Sequence, residues 1–224
     1  TRSVESLRMK LTPPSLALFS ALIGLAFSTA GCAQNARPQP VVVVADNPAV
    51  APVAEKRVTG IMSALKLADA EQAARVKQHI LNFMVTTKNA YEGKQPLTGD
   101  ALREALVQAR TAFYAALDSE QLTEDQLIVI KNGLAGGHFN REYNAVQELI
   151  PTLTEEEKAY IREQLKSGFD DAIILNDGEA KGAVFHKIRG RNNNYLAKRG
   201  YDLKKLSQEL KERNQNKRAN SAKP

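Results

Sequence analysis

The spacing of hydrophobic positions is helical from residue 58 to about residue 213. Val58, Ile61, Met62 and Leu65 recur at i, i+3, i+4 and i+7, so they share one face of a helix. Similar stripes continue along the chain, over residues 73–91, 102–117, 124–133, 143–150, 161–173, 178–198 and 202–213. No segment alternates between hydrophobic and polar positions as a half-buried strand does. The pattern therefore predicts an all-α fold, with one helical bundle of about six to seven helices over residues 56–213.

Two of the predicted helices begin with a capping box. Thr123 precedes Gln126 by three positions, and Thr154 precedes Glu157 by the same spacing. In this motif the Thr hydroxyl accepts a hydrogen bond from a first-turn amide, and the Gln or Glu side chain accepts one from the Thr amide. We therefore expect helices to begin just after Thr123 and just after Thr154.

The first 32 residues resemble an export signal. Met9-Lys10 is followed by an uncharged apolar run over residues 16–27 and by small residues at 28–31. A basic start, a short apolar segment and small residues at the cleavage site are typical of a secretory signal peptide. The run is too short for a transmembrane helix, which needs about 20 residues. We interpret residues 1–32 as a signal peptide and expect the protein in the periplasm or at the outer membrane.

Cys32 follows the small residues directly and resembles the acylated cysteine of the bacterial lipoprotein box. The box usually carries leucine at the position of Thr29, so ordinary cleavage after Ala30 or Ala33 remains an alternative. Lipidation of Cys32 would attach the protein to a membrane.

Two further segments are predicted to be without a fold of their own. Residues 33–55 contain prolines at 38, 40, 48 and 52 among Ala, Val, Gln and Asn, which favours a flexible tether. Residues 214–224 are polar and carry no hydrophobic stripe, so we predict a disordered tail there.

Composition excludes several function classes. The chain has 224 residues, a formal net charge of +6, three histidines and one cysteine. This leaves no Cys/His zinc cluster and no internal disulfide. No P-loop, dinucleotide-binding, zincin or α/β-hydrolase motif is present in the sequence. We therefore predict no metal, no cofactor and no catalytic residue, and we favour a protein that is not an enzyme.

Positive charge is concentrated at the C-terminal end of the chain. Residues 187–224 contain twelve Lys and Arg residues against three Asp and Glu residues. Such a segment either binds an anionic surface or forms a solvated helix face. Nucleic acid is not an expected partner, because the protein is predicted to be exported and no aromatic residue follows Tyr201 to stack on bases.

The candidate ligand-binding residues lie mostly within this basic segment. Three consecutive asparagines, at positions 192–194, are unfavourable inside a helix, which suggests a functional reason for them. Arginine binds a carboxylate through two parallel hydrogen bonds, and asparagine bonds to hydroxyls. We predict a face that binds an oligosaccharide or acidic glycan, formed by Tyr143, Lys187, Arg189, Arg191, Asn193, Asn194 and Tyr195. The alternative for both tyrosines is a packing role between helices.

The order of several short elements resembles a known bacterial family. The elements are Leu122–Gln126, Tyr143–Ala145, Ile150–Glu157 and Tyr195-Leu196 ahead of Gly200–Asp202, and the earlier segment from Leu65 to Val76 fits as well. In this pattern the chain is similar, over roughly residues 56–213, to the exported family of unknown function designated thirty-eight twenty-six. The resemblance implies an all-helical, exported protein, loosely described as sugar-binding, and it supplies no catalytic residues.

The favoured hypothesis is therefore a non-catalytic glycan-binding accessory protein of the cell envelope. One alternative is a small helical periplasmic chaperone or stress sensor, because Leu122-Thr123-x-x-Gln126 resembles a repeat of such chaperones. A third is a glycan-active enzyme, for which the carboxylate pairs at 170–171 and at 177 with 179 would have to face each other across a cleft. The sequence leaves the oligomeric state open.

Overall fold

Helices form most of the part of the chain that the computed structural model describes, which is residues 50–221, with side chains over residues 52–217. This part contains no strand, so the predicted all-α fold is confirmed. Its helices are α1 (Val50–Leu65), α2 (Ala70–Glu92), α3 (Gly99–Asp118), α4 (Glu124–Leu134), α5 (His138–Leu149), α6 (Glu155–Lys166), α7 (Phe169–Ala172), α8 (Gly178–Lys198) and α9 (Leu203–Ser221).

The described residues form nine helices, more than the six to seven predicted. One reason is that the predicted stripe over residues 161–173 is divided into α6 and the single turn α7. The division falls at Gly168, where an added Cβ would contact Ile188 of α8. The absence of a side chain at Gly168 therefore lets the chain pass close to α8 between the two helices.

Both predicted capping boxes are present, and they explain where α4 and α6 begin. The Thr123 hydroxyl accepts from the Gln126 amide at 3.3 Å, and the Gln126 side chain accepts from the Thr123 amide at 2.8 Å. Thr154 and Glu157 make the same pair of bonds, at 3.2 Å and 2.9 Å.

Two predicted boundaries differ from the structure. α1 begins at Val50, inside the predicted tether, because Ala54 is buried and packs with Val85 of α2. α9 continues past Arg213 to Ser221, where a disordered tail is predicted.

The predicted signal peptide, Cys32 and the tether up to residue 49 lie outside the described residues. Within residues 50–221, no helix combines the length and the apolar composition needed to cross a membrane.

The helices pack around one main hydrophobic core, and Ala54 and Val85 form a small second cluster. α2 lies against α1 and α3, α1 also packs on α4, and α8 packs on α5, α6 and α7. The rings of Phe83 and Phe113 stack with centroids 4.4 Å apart, and those of Phe139 and Phe169 stack at 5.2 Å. This arrangement brings α1, α2, the end of α4 and the start of α8 together, and the candidate site lies where they meet.

Buried carboxylates tie distant parts of this fold together. Glu120, in the turn after α3, accepts hydrogen bonds from Arg75 of α2 at 3.0 and 3.2 Å and lies 3.4 Å from His79 Nε2. Burial alone would raise the pKa of Glu120, but the bonds from Arg75 and His79 outweigh it and hold the pKa below its usual value. Glu157 likewise accepts from the Tyr201 hydroxyl at 2.9 Å.

Candidate anion-binding site

The predicted ligand-binding residues do not converge on one surface. Six of the seven lie on α8, but they are distributed over different sides of the helix. Lys187, Arg191 and Asn194 follow at i, i+4 and i+7 and form an exposed stripe facing solvent. None of the predicted residues lines the pocket at the start of α8 or the cavity between α1 and α4.

Arg189 is held by a carboxylate of the neighbouring helix. Its Nε donates to Glu142 Oε2 of α5 at 2.7 Å, and its Nη2 donates to the other carboxylate oxygen. The Glu142 side chain is only 5% exposed, so Arg189 satisfies a buried charge and joins α5 to α8. Asn193, four residues further on, is half-buried on the same side of α8.

The two predicted tyrosines pack against other rings. Tyr195 stacks on Tyr160 of α6, with centroids 3.8 Å apart, and the Arg199 guanidinium lies over its ring at 5.7 Å. Tyr143 stacks on Phe139, one turn earlier in α5, with centroids 6.1 Å apart. Both tyrosines are half-buried, which agrees with the packing alternative.

The asparagine run contains one residue that the predicted face omits. Asn192 is 1% exposed and points into the core side of α8, and its Oδ1 has no hydrogen-bond partner. A buried amide oxygen without a partner is unfavourable. The three asparagines therefore occupy three different environments, namely core, flank and solvent, and do not form one binding surface.

A better-formed site lies at the other end of α8. It is a pocket of about 100 Å³ between α1, α2, the end of α4 and the start of α8, and we call it the Lys181 pocket. Apolar and polar side chains both contribute to its wall. It is lined by Val53, Ala54, Arg57, Phe83, Met84, Thr87, Lys88, Leu134, Ile173, Leu175, Asn176 and Lys181.

Lys181 is the buried polar group of this pocket. The residue is 5% exposed, and its Nζ donates to the carbonyl oxygen of Leu134, the last residue of α4, at 2.6 Å. A cation at the C-terminal end of a helix is favourable, because the last carbonyls have no partners within the helix. An ammonium group has three donors, so this bond leaves donors for a ligand.

The surroundings of Lys181 disfavour its charged form. Burial is the largest cause that lowers its pKa, the nearby positive charges of Arg57 and Lys88 lower it as well, and Asp177 acts in the opposite direction. The resulting pKa is about 8. Among the described residues, no carboxylate forms an ion pair with Lys181. The pocket therefore contains a buried cation that has no ion-paired carboxylate among the described residues.

The other charged groups at the pocket differ in how they are partnered. Lys88 pairs with Glu92 one turn later in α2, and the Asn176 amide donates to the same carboxylate at 3.4 Å. Arg57 of α1 is exposed and makes no ion pair or hydrogen bond with its side chain in the described part of the chain. Lys181 and Arg57 are thus the two cations available to an incoming anion.

This arrangement suits an anionic group and offers nothing for a metal. A carboxylate placed between Lys181 and Arg57 would receive charge-assisted hydrogen bonds, which are the stronger kind. In the described residues, no group of three or more His, Cys, Asp or Glu side chains is placed to hold a metal ion.

Sequence reasoning missed the Lys181 pocket, although one signal for it exists. Lys181 precedes Phe185 and Ile188 at the spacing of one helix face, so it is a charged residue in line with apolar positions. The signal identifies Lys181 as unusual, but it does not reveal that Arg57, from a distant helix, faces the same pocket.

The comparisons with known proteins give a family match and do not identify a ligand. A model of the family described as Protein of unknown function (DUF3826) matches residues 98–216. The match includes Lys181, and it begins after the Leu65–Val76 segment and after Arg57 and Lys88. A search of curated proteins finds no match to the chain.

Proposed function

We propose that this chain, which belongs to the DUF3826 family of proteins of unknown function, is a non-catalytic cell-envelope protein that binds a carboxylated sugar of an acidic glycan in the Lys181 pocket. The observation that carries the proposal is the buried Lys181 ammonium, which no carboxylate of the described residues neutralises. A buried charge without a partner is costly. A bound carboxylate would supply the missing counter-charge.

The size and lining of the pocket favour one acidic sugar unit. A volume of about 100 Å³ accommodates a carboxylate and the adjoining ring edge, while the rest of a larger ligand remains outside. Phe83 and Met84 supply apolar surface, and Asn176 at the rim supplies an amide for a hydroxyl group. Small-molecule sites typically combine apolar surface with convergent polar groups in this way.

Export and membrane attachment form part of the same proposal. They are supported by the signal-like residues 1–31 and by Cys32 at the position of an acylated cysteine. Cys32→Ser should move the protein from the membrane fraction to the soluble fraction. An unmodified N-terminus at Cys32 in the native protein, or unchanged fractionation of the variant, would contradict lipidation.

Within residues 52–217, no specific contact favours the two alternative functions. The Leu-Thr-x-x-Gln motif forms the capping box of α4, which accounts for Thr123 and Gln126 by helix initiation alone. Among the carboxylate pairs, Asp170 accepts a hydrogen bond from the Tyr114 hydroxyl at 2.6 Å, and Asp177 accepts from the Glu179 and Ala180 amides as the N-cap of α8.

Calorimetric titration tests the binding proposal. We expect galacturonate and glucuronate to bind the wild-type protein, and we expect neutral galactose and glucose to bind at least tenfold more weakly. Lys181→Met should abolish binding of both uronates, whereas Lys187→Met, an exposed lysine of the same helix, should leave it unchanged. Equal binding of neutral and acidic sugars, or unchanged binding by Lys181→Met, would overturn the proposal.

The pH dependence gives a second readout of the same site. A carboxylate binds the charged form of Lys181 and therefore raises its pKa, so the affinity is highest below about pH 8. As the pH rises through about 8, binding must first protonate Lys181, and the affinity should fall up to about tenfold per pH unit. The other charged groups that act on Lys181 are Arg57, Lys88 and Asp177. An affinity that is constant from about pH 7 to about pH 9.5 would contradict a role for Lys181.

A further inference from the structure

A second cavity adjoins the Lys181 pocket along the contact between α1 and α4. It has a volume of about 290 Å³ and is lined by Arg57, Gly60, Ile61, Ala64, Ile128, Val129, Asn132, Gly133 and Asn140. We call it the α1–α4 groove. Arg57 lines both the pocket and the groove, so the two cavities are neighbours on either side of one side chain.

The two cavities follow each other along the helices. On α1, residues up to Arg57 line the pocket, and residues from Arg57 to Ala64 line the groove. On α4 the pocket is lined by Leu134 and the groove by residues of the preceding turns, back to Ile128. One helical turn advances about 5.4 Å, which is close to the length of one pyranose unit. The groove therefore extends from the pocket by about the length of one or two sugar residues.

The polar groups of the groove suit hydroxyl groups. Asn132 accepts a hydrogen bond from the Asn140 backbone amide at 3.3 Å through its Oδ1, which fixes the orientation of its side chain. Asn140 is exposed. Amide side chains both donate to and accept from hydroxyls, and the groove wall between them is apolar, from Ile61 and Val129.

We propose that the α1–α4 groove is a second subsite, which binds the sugar unit next to the acidic unit in the Lys181 pocket. This inference rests on the function proposed above and names the ligand as a chain of at least two linked sugars rather than a free uronate. Arg57 lies between the subsites and contacts the ligand on both sides. The unpaired guanidinium of Arg57 and the continuity of the two cavities are the observations that support it.

The experiment compares galacturonate with its linked di- and trisaccharides in calorimetric titrations. For the wild type, we expect the disaccharide to bind about tenfold or more tightly than the monosaccharide. Gly60→Leu should reduce the disaccharide affinity to that of the monosaccharide, because the side chain enters the groove. An added Cβ at Gly60 meets nothing within 4 Å, so the fold should tolerate Leu there, and Gly60→Ala is the matched control that keeps the groove open. Ala64→Leu tests the same groove from an independent position.

Each outcome distinguishes the second subsite from the first. If the monosaccharide binds in a Lys181-dependent manner but chain length has no effect, the second subsite is wrong and the proposed function stands. If chain length increases affinity equally in Gly60→Leu, Ala64→Leu and the wild type, the additional sugar lies elsewhere. If neither the monosaccharide nor the oligosaccharides bind the wild type, the proposed function and this inference both fail.

Discussion

Lys181→Met should stabilise the protein at neutral pH, because it removes a buried charge. The pKa of Lys181 falls from the ordinary 10.5 to about 8 in the folded protein. Since one pKa unit corresponds to about 1.4 kcal/mol, holding the charged form costs about 3 kcal/mol at neutral pH. The variant also loses the hydrogen bond to the Leu134 carbonyl, at a cost of about 1–2 kcal/mol. We therefore expect a net stabilisation of about 1–2 kcal/mol at about pH 7.

The sign of the pH dependence separates this effect from a change in packing. A lysine whose folded-state pKa is lowered binds fewer protons folded than unfolded between about pH 8 and about pH 10.5. Wild-type stability should therefore rise with pH across this window. Between about pH 7.5 and about pH 9.5, the advantage of Lys181→Met over the wild type should shrink by about 2 kcal/mol.

Urea unfolding followed by far-ultraviolet circular dichroism, repeated across this pH range, measures the difference. Comparing the two proteins cancels the titration of groups that they share. Lys187→Met, which alters an exposed lysine on the same helix, should follow the wild type at every pH. Parallel stability curves for the wild type and Lys181→Met would show that Lys181 is not held in an unfavourable charged state, and would refute the reasoning.

Three further substitutions test the contacts that position the helices. Glu142→Gln should destabilise the protein by about 2 kcal/mol in urea unfolding, because it leaves Arg189 without its buried partner; an unchanged midpoint would contradict this. Thr154→Ala should lower the stability by about 1 kcal/mol in the same assay, because the α6 cap is lost, and Thr154→Ser should keep most of the wild-type stability. Gly133→Ala should lower the thermal midpoint, because an added Cβ would contact Ile61 where α1 crosses α4; a raised midpoint would show that this crossing is looser than the structure indicates.

Helix type and helix starts were predictable because they depend on neighbouring residues. The stripe at Val58, Ile61 and Leu65 faces the core as its spacing requires, and all three residues are buried. Thr123 and Thr154 begin helices because a capping box needs only residues three positions apart. The helix count was less predictable, since the break at Gly168 depends on the close approach of Ile188 from another helix.

The predicted ligand-binding face shows that the sequence of one helix does not reveal which residues its side chains contact. Arg189 has the side chain expected for binding a carboxylate, but the carboxylate that it binds is Glu142, 47 positions away. Tyr195 has the ring expected for a sugar, but Tyr160 of α6 covers it. The partners of both side chains therefore come from elsewhere in the chain.

The sequence by itself determined the all-α class, the two capped helix starts and the basic character of the C-terminal segment. Only the tertiary structure decided which cations are neutralised and which are not. Helical periodicity assigns a residue to a face, but the charge that meets that face comes from helices distant in sequence. Lys181 and Arg57 reach one pocket because α1 packs on α4 and the Lys181 amine reaches the end of α4. The candidate site is thus a product of helix packing, which a local pattern of residues does not encode.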